Sequence, residues 1–322
     1  MTASFRRIDY SLRPSKHAER RMFVELFKRL RPFQPIEEYV YVGFGSVWFA
    51  DFSLFHRTLG FREMLSIERQ ADAQPRIDAN KPFAAVAVDY RSSDLALPDL
   101  DWERRHIIWL DYDDPLETAM LLDARTIAAR ARSGTLLAVS VQCQKAAEVN
   151  EADQDQGGPT AFVRFVERFG RERLGPDAGQ QDLYGWRFGK IARNLLSQEI
   201  EETLVGRNAG AERDQALSFR PLCSFEYEDG VKMTTIVGIF VSQADAFLLE
   251  ACQFAATDFL PALGANVRIP FPKITPREAR LMEQTLPWAP GVPQVVGAIP
   301  PADARDFAAF YRYWPNYAVL EG

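Results

Sequence analysis

Three acidic side chains stand where short apolar segments of the chain end. They are Glu68, Asp89 and Asp111, which follow the segments 61–67, 84–88 and 106–110. Short apolar runs that alternate with helical stretches are typical of βαβ units and a parallel sheet. The carboxyl ends of such strands open on one crevice. We therefore expect the three carboxylates to face a common ligand site.

A glycine turn precedes these acids. The residues Gly43-Phe44-Gly45-Ser46 follow a β-type run and lead into a helical stretch. Glycine in such a turn permits positive φ and lets a ligand approach the backbone, and the start of the helix presents free N–H groups. We expect Gly43, Gly45 and Ser46 to bind part of a cofactor.

The residue types around this crevice favour a cationic ligand over a dinucleotide. Trp48 occupies the position at which the dinucleotide pattern G-x-G-x-x-G has its third glycine. Its indole would block close packing of helix and strand, and three carboxylates would repel a pyrophosphate. S-adenosylmethionine has no phosphate and carries a sulfonium cation, so it fits better than NAD. Glu68 would accept the ribose hydroxyls and Asp89 the adenine amino group.

The rest of the chain supplies the elements that would position this site. The patterns predict helices at 15–31, 70–80, 116–131 and 187–204, a strand at 135–141, and strands at 219–227 and 232–241. The last two are joined by Glu228-Asp229-Gly230, and so short a glycine turn indicates an antiparallel hairpin. The predicted fold class is α/β: a Rossmann-like, open, mostly parallel seven-stranded sheet with helices on both faces.

The same patterns predict three parts of the chain. Residues 1–35 would form a basic helical extension and residues 36–245 the Rossmann-like domain. Residues 246–322 would form a helical C-terminal region rich in proline and aromatic residues. The polar stretch 146–182 is predicted to be a surface insertion.

This pattern resembles that of class I S-adenosylmethionine-dependent methyltransferases. The shared features are the strand, the G-x-G turn and its helix, the acids on consecutive strand ends and the hairpin, over roughly residues 36–243. Segments 12–16, 41–46 and 109–113 are also similar to uncharacterised bacterial proteins described as O-methyltransferases. The resemblance implies the sheet order 3-2-1-4-5-7-6, with strand seven antiparallel.

The resemblance also implies roles for single residues. Gly43 and Gly45 would cradle the methionine part of the cofactor, and Asp89 with Tyr90 would face the adenine. The family usually has an acidic residue two positions before the first glycine, and here that position is Tyr41.

The segment after the fourth strand would border the sulfonium and the acceptor. The resemblance implies catalytic roles for Asp111 and Asp113 and a cofactor contact for Tyr112. Asp114-Pro115 also resembles part of the D-P-P-Y motif of amino-methyltransferases, but the second proline and the aromatic that would stack on a flipped base are missing. The segment fits a helix start as well, with Asp113 or Asp114 as the cap and proline in the first turn.

Residues 1–34 are basic within an acidic protein. They contain nine Lys or Arg and three acids, whereas the whole chain has a net charge of −6. A basic segment can meet phosphates or an acidic partner, so Arg13, Lys16 and Arg20 are candidate contacts to a substrate or a nucleic acid. The same residues also fit the solvated face of an amphipathic helix.

Composition limits the remaining alternatives. Apolar residues make up 47% of the chain and charged residues 25%, which is ordinary for a globular protein. No apolar run approaches the roughly 20 residues of a membrane span, and the N-terminus lacks a signal-peptide pattern, so a cytoplasmic protein without a membrane partner is expected. The scattered cysteines and histidines predict no metal site. His17 and His56 are candidate general bases, although a single histidine in a helical pattern is usually a packing or surface residue.

We therefore predict an S-adenosylmethionine-dependent methyltransferase that acts on an oxygen or nitrogen of an acceptor that the residues do not identify. The alternative is a catalytically silent Rossmann-like module that binds a nucleotide-type ligand or a partner. A third class, NAD-linked oxidoreductases, is disfavoured by Trp48.

Overall fold

The computed structural model describes residues 13–154, 157–288 and 297–315. Parts of the predicted N-terminal extension and C-terminal region lie outside the described residues, among them Arg6, Arg7, Leu12 and Tyr317.

Strands and helices alternate through the first half of the chain, and a long hairpin follows. The strands are β1 Val40–Gly43, β2 Glu63–Ile67, β3 Val86–Asp89, β4 His106–Pro115, β5 Leu136–Gln142, β6 Leu217–Glu228, β7 Lys232–Ser242 and β8 Ala265–Arg268. The helices are α1 Pro14–Lys28, α2 Ala50–Leu59, α3 Gln74–Asn80, α4 Ser93–Ala96, α5 Thr118–Arg130, α6 Ala147–Gln154, α7 Ala161–Phe169, α8 Gly185–Asn208, α9 Ala246–Ala251, α10 Pro276–Glu283 and α11 Pro301–Phe310.

The described strands form one sheet in the order β3-β2-β1-β4-β5-β7-β6-β8. Strands β1 to β5 are parallel, and β7 is antiparallel to both β5 and β6. The predicted α/β class and the order of the first seven strands are confirmed. The eighth strand was not predicted. It has four residues, of which only Val267 is buried, so its pattern resembles a loop.

Alternate residues of the central strands pack into two cores, one on each face of the sheet. Tyr41 and Ile107 belong to the first core, and their neighbours Val42 and Ile108 belong to the second. Helices α1 and α2 cover the first face, and α5 and α8 cover the second. A sheet buried on both faces explains why its strands are nearly continuous apolar runs.

Helix α1 is packed into the first core along most of its length. The ring of Phe23 lies 4.6 Å from that of Trp109 on β4, and the ring of Phe27 lies 5.1 Å from that of Phe55 on α2. Lys16 and Arg20 are also buried, with exposed fractions of 1% and 6%. The interpretation of these two cations as part of a solvated helix face is therefore wrong, because that face packs on the sheet.

The stretch 146–182 is not only a surface insertion. Helices α6 and α7 carry polar outer faces, but Val149, Phe165 and Phe169 are buried in the second core. The polar residues of the stretch are typical of a surface segment, whereas these apolar side chains join α6 and α7 to the core.

None of the helices within the described ranges is long and apolar enough to cross a bilayer.

Candidate functional site

A cavity of about 720 Å³ lies at the carboxyl ends of the parallel strands. This volume is in the range of small-molecule sites. Charged residues of its lining are mostly acids. They are Asp51, Glu68, Asp94, Asp111, Asp113, Asp114, Glu117 and Asp123, against Arg13, Arg20 and Arg69. The excess of carboxylates gives the cavity a negative potential that favours a cationic ligand.

The glycine turn forms one wall of this cavity, through Gly45 and Ser46. Glycine is required here by packing, because a Cβ on Gly45 would lie 2.5 Å from the Phe49 ring and 2.8 Å from Ser66 Oγ. Positive φ was expected at the glycines and instead occurs at Ser46 and Phe49, at 48° and 45°. Gly45 lines the cavity and Gly43 does not, and the predicted contact of these glycines with the methionine part of the cofactor stays a prediction.

Glu68 binds the turn from the end of β2. Its Oε1 accepts hydrogen bonds from the Ser46 N–H at 2.5 Å and from Ser66 Oγ at 3.1 Å, and Ser66 Oγ accepts one from the Gly45 N–H at 2.9 Å. Burial raises the pKa of Glu68, and the bond from Ser46 opposes this shift. The N–H groups of Gly45 and Ser46 are therefore used within the protein. The turn contributes a fixed shape, and the Glu68 carboxylate is held at the cavity wall.

Asp51 is a cavity residue that the sequence analysis missed. It lies in the first turn of α2, is 8% exposed, and accepts a hydrogen bond through Oδ2 from the Tyr41 hydroxyl. Tyr41 occupies the position on β1 at which the family that the sequence resembles usually has an acid. The Asp51 carboxylate, from α2, therefore lies next to the residue that replaces this acid. An acid in the first turn of the helix after a G-x-G turn is the signal that could have identified it.

Asp111 is held at the cavity by a buried lysine. Lys16 Nζ lies 2.6 Å from Asp111 Oδ1 and 2.9 Å from Glu19 Oε2, and it lies 4.2 Å from the centre of the Trp109 ring. The Asp111 side chain remains 21% exposed. Lys16 therefore positions Asp111, and its burial contradicts the prediction that it contacts phosphates of a substrate or nucleic acid.

Strand β4 runs past Asp111 to Pro115, with an irregular register against β5 between these residues. Tyr112 and Asp113 consequently lie on the strand and line the cavity. Helix α5 begins only at Thr118, and its N-cap is Glu117. The alternative in which Asp113 or Asp114 caps a helix is therefore wrong.

The hydroxyl of Tyr112 belongs to a hydrogen-bonded cluster with Asp123 and Ser93 that the sequence did not indicate. It donates to Asp123 Oδ2 at 2.5 Å, and the same oxygen accepts from Ser93 Oγ at 2.5 Å. Burial raises the pKa of Tyr112 well above its ordinary value and also raises the pKa of Asp123. Tyr112 is thus fixed as a neutral hydrogen-bond donor, and its ring packs edge-on against Phe44 at 5.1 Å.

Asp89 and Tyr90 do not line the cavity. Asp89 is bound by the Arg91 guanidinium, with a shortest N–O distance of 2.7 Å, and these hydrogen bonds lower its pKa. The Tyr90 hydroxyl donates to Asp78 Oδ1 at 2.7 Å. The acid after β3 that lines the cavity is Asp94. An adenine contact of Asp89 and Tyr90 stays a prediction that this arrangement does not favour.

The other candidate residues separate into two groups. Arg13 and Arg20 line the cavity. His17 and His56 do not: the ring of His56 packs 4.2 Å from that of Phe83, and burial lowers the pKa of His17 to about 4. Among the described residues, no group of three His, Cys, Asp or Glu side chains could hold a metal ion.

The sheet order, the antiparallel strand β7 and the acidic cavity beside the glycine turn define the architecture of class I S-adenosylmethionine-dependent methyltransferases. Residues 8–322 match the family described as "Putative O-methyltransferase". The chain belongs to this family. The prediction of a methyltransferase is confirmed at this level.

Several solved structures match the chain at low similarity. Trm1 from Pyrococcus horikoshii in complex with S-adenosyl-L-methionine has 11% identity and a TM-score of 0.45, over 71% of this chain and 57% of that one. A putative O-methyltransferase from Klebsiella pneumoniae has 13% identity and a TM-score of 0.37, over 72% and 81%. A putative S-adenosylmethionine-dependent methyltransferase from Listeria monocytogenes has 10% and 0.38, over 67% and 97%. Because their TM-scores are below 0.5, none of these structures assigns a role to a residue of this chain. The chain spans 57% of the length of the Trm1 structure that it matches. No curated protein matches the chain in sequence.

Proposed function

We propose that the cavity binds S-adenosylmethionine and that the protein transfers its methyl group to an oxygen or nitrogen of an acceptor. The observation that carries this proposal is the acidic cavity beside the glycine turn, in a chain of a methyltransferase family. When bound, the cofactor supplies an electrophilic methyl group on a cationic sulfur. The carboxylates of the cavity lining would stabilise this cation.

The cofactor fits the lining of the cavity. Glu68 presents a carboxylate to the ribose hydroxyls from the end of β2. The buried side chains of Ile67 and Ile77 offer an apolar surface to the adenine, and Asp94 lies on the same side, after β3. Asp94 therefore replaces Asp89 as the acid proposed to accept the adenine amino group.

The acceptor end of the cavity is formed by β4. Asp111, bound to Lys16, is proposed to stay in place as a fixed negative charge. Asp113, two residues further along the strand, is proposed to take the proton that an acceptor hydroxyl or amine loses. Methyl transfer depends chiefly on the alignment of the two reacting atoms, so a rigid wall is the main catalytic contribution of this segment.

Binding of S-adenosylmethionine to the variant Glu68→Gln tests the cofactor site. We expect a loss of about 1.5–3 kcal/mol in calorimetry, the scale of a hydrogen bond to a charged group. The matched control is Glu63→Gln at the opposite end of β2, because the Glu63 side chain is 59% exposed and forms a salt bridge with Arg104 outside the cavity. Equal affinities of wild type and Glu68→Gln would remove Glu68 from the site.

Transfer itself is tested with cofactor labelled in the methyl group and a cell extract as the source of acceptor. We expect label on an acceptor with the wild type and a lower rate with Asp113→Asn at unchanged cofactor affinity. Tight cofactor binding by the wild type without any transfer would instead support the silent module.

A further inference from the structure

A surface of basic and aromatic side chains lies beside the cavity, and we call it the rim surface. It consists of Tyr184, Trp186 and Lys190 at the start of α8, Lys232 at the start of β7 and Arg268 at the end of β8. Strands β6 and β8 are parallel to each other, and both β5 and β6 are antiparallel to β7. The start of β7 and the end of β8 therefore lie at the edge of the sheet that holds the cavity.

The side chains of the rim surface are in contact or share a helix face. The Arg268 guanidinium lies 4.6 Å from the centre of the Trp186 ring, and Lys232 Nζ lies 5.8 Å from it. Lys190 follows Trp186 by four residues in α8, so these two side chains lie on one face of the helix. Tyr184 is the N-cap residue of α8 and is 43% exposed. The cations and the rings thus form one patch.

The rim surface is continuous with the wall of the cavity. Lys232 lies between Val231 and Met233, which both line the cavity. The start of α8 lies next to the end of β5, because the Gly185 N–H donates to the Gln144 carbonyl at 3.0 Å. This is the side of the cavity formed by β5 and β7, away from the end of β2 that is proposed to hold the ribose.

The acids around the rim surface have partners within the protein. They are Asp182, Glu226, Glu228 and Asp229, and they bind Arg187, Arg193, Lys232 and the first N–H groups of α1, respectively. Within the described ranges, Lys190 and Arg268 form no salt bridge, and both are exposed. The rim surface therefore presents positive charge beside a cavity whose charged residues are mostly acids.

We infer that the rim surface binds single-stranded nucleic acid and brings its bases to the mouth of the cavity. The inference rests on the proposed function for the role of the cavity. Proteins bind single strands with cations for the phosphates and aromatic faces for the bases. Lys190, Lys232 and Arg268 supply the cations, and the exposed ring of Tyr184 supplies a stacking face. The Arg268 guanidinium, packed on Trp186, offers a second flat surface to a base.

The opposite charges of the rim surface and the cavity determine which part of a strand goes where. Phosphates are attracted by the rim surface and repelled by Asp113, Asp114 and Glu117 in the cavity lining. A base is uncharged and can enter the cavity while its phosphates stay outside. A duplex fits less well, because its bases are stacked inside and its denser charge is repelled by a protein with a net charge of −6.

The experiment measures the fluorescence anisotropy of a labelled, single-stranded RNA of mixed sequence, about 16 nucleotides long. The wild type should bind it at low salt, and more tightly than the duplex of the same sequence. Tyr184→Ala should weaken binding at least about fivefold through the loss of one stacked base, and Tyr184→Phe should bind as the wild type does.

The double variant Lys190→Gln/Arg268→Gln tests the phosphate contacts. The slope of log affinity against log salt should become smaller in magnitude by about 0.7 for each cation removed. The matched control is Arg57→Gln, because Arg57 is also an exposed arginine beside an aromatic ring, 5.7 Å from that of Phe83, but lies in the last turn of α2 at the opposite edge of the sheet. It should leave affinity and slope unchanged.

Polyphosphate of similar length carries the charge without the bases. Its affinity should fall in the double variant and stay unchanged in Tyr184→Ala. If RNA affinity also falls only in the double variant, the rim surface binds polyanions in general, an acidic protein included, and the inference is overturned. Absence of RNA binding by the wild type at low salt, or equal binding by all variants, would overturn it as well.

Calorimetry with S-adenosylhomocysteine separates this inference from the proposed function. Unchanged affinity in each variant shows that the variant is folded and that the cavity is intact. A wild type that binds S-adenosylhomocysteine but no RNA would overturn the inference and leave the proposed function in place. A wild type that binds RNA but no S-adenosylhomocysteine would contradict the proposed function and leave the rim surface as a nucleic-acid site.

Discussion

At the scale of single residues, the glycine turn acts through its packing. A Cβ on Gly45 would collide with the Phe49 ring and the Ser66 hydroxyl, and the Gly45 N–H donates to that hydroxyl. Ser66 in turn donates to Glu68, so the fit around one glycine determines where the carboxylate at the cavity wall lies. Small changes in this contact should therefore affect both stability and ligand binding.

The substitution Gly45→Ala should lower the free energy of unfolding by roughly 1–3 kcal/mol, because its methyl group overpacks a buried site. It should also weaken cofactor binding, since Ser66 and Glu68 must shift. Urea denaturation and calorimetry measure the two effects.

The control for this prediction is Gly206→Ala in α8. A Cβ on Gly206 meets nothing within 4 Å, so alanine should stabilise the helix by up to about 1 kcal/mol. Equal effects of the two substitutions would contradict the packing argument.

At the scale of elements, α1 is joined to the sheet by a chain of buried polar contacts. The Trp109 indole donates to Ser140 Oγ at 2.9 Å, and Ser140 Oγ lies 2.8 Å from Thr235 Oγ1. Thr235 donates to Glu19 Oε1, and Glu19 pairs with Lys16, which reaches Asp111. A helix outside the strand–helix alternation thus holds a residue of the cavity in place.

Lys16→Met should lower the free energy of unfolding by about 3–5 kcal/mol, because it leaves two buried or half-buried carboxylates without their cation. Adding Glu19→Gln should restore part of this loss, since Glu19 is fully buried and its charge is then removed. A double-mutant cycle measured by urea denaturation gives the coupling free energy between Lys16 and Glu19. Strictly additive effects would show that Lys16 and Glu19 do not interact energetically.

At the scale of the whole molecule, burial of a titratable group links stability to pH. His106 is 1% exposed in β4, and burial lowers its pKa from 6.5 to about 4. The unfolded chain therefore binds a proton between these values while the folded protein does not. Stability from this group is fully present above pH 6.5 and is lost as the pH falls towards 4, by on the order of 3 kcal/mol.

The variant His106→Phe isolates this effect, because phenylalanine does not titrate. The difference in unfolding free energy between wild type and variant should be constant above pH 7. Between pH 6.5 and pH 4, the unfolding free energy of the wild type should fall relative to that of the variant. Denaturation curves at several pH values measure it, and contributions of other groups cancel in the difference. A difference that stays constant down to pH 4 would contradict the assignment.

The strand pattern, the glycine turn and Glu68 were sufficient to predict the α/β class and the position of the cavity. These features depend on local periodicity and on the rule that parallel strands end on one side, and both can be read from neighbouring residues. The order of the first seven strands was predicted only through the family resemblance, because no local pattern specifies which strands pair. Asp89 shows the limit of this reasoning. It ends a strand as predicted, but Arg91, only two residues away, turns its carboxylate out of the cavity.

The amino-acid sequence alone determined that the chain forms a Rossmann-like sheet with acids at its ligand edge, because each strand carries its own pattern of apolar residues. Only the tertiary structure decided which charged residues line the cavity. Arg20 and Asp51 come from helices whose packing on the sheet depends on contacts between distant segments, and so does Lys16, which holds Asp111 at the cavity. A basic residue on a helix has the same pattern in the sequence whether it faces water or a buried carboxylate.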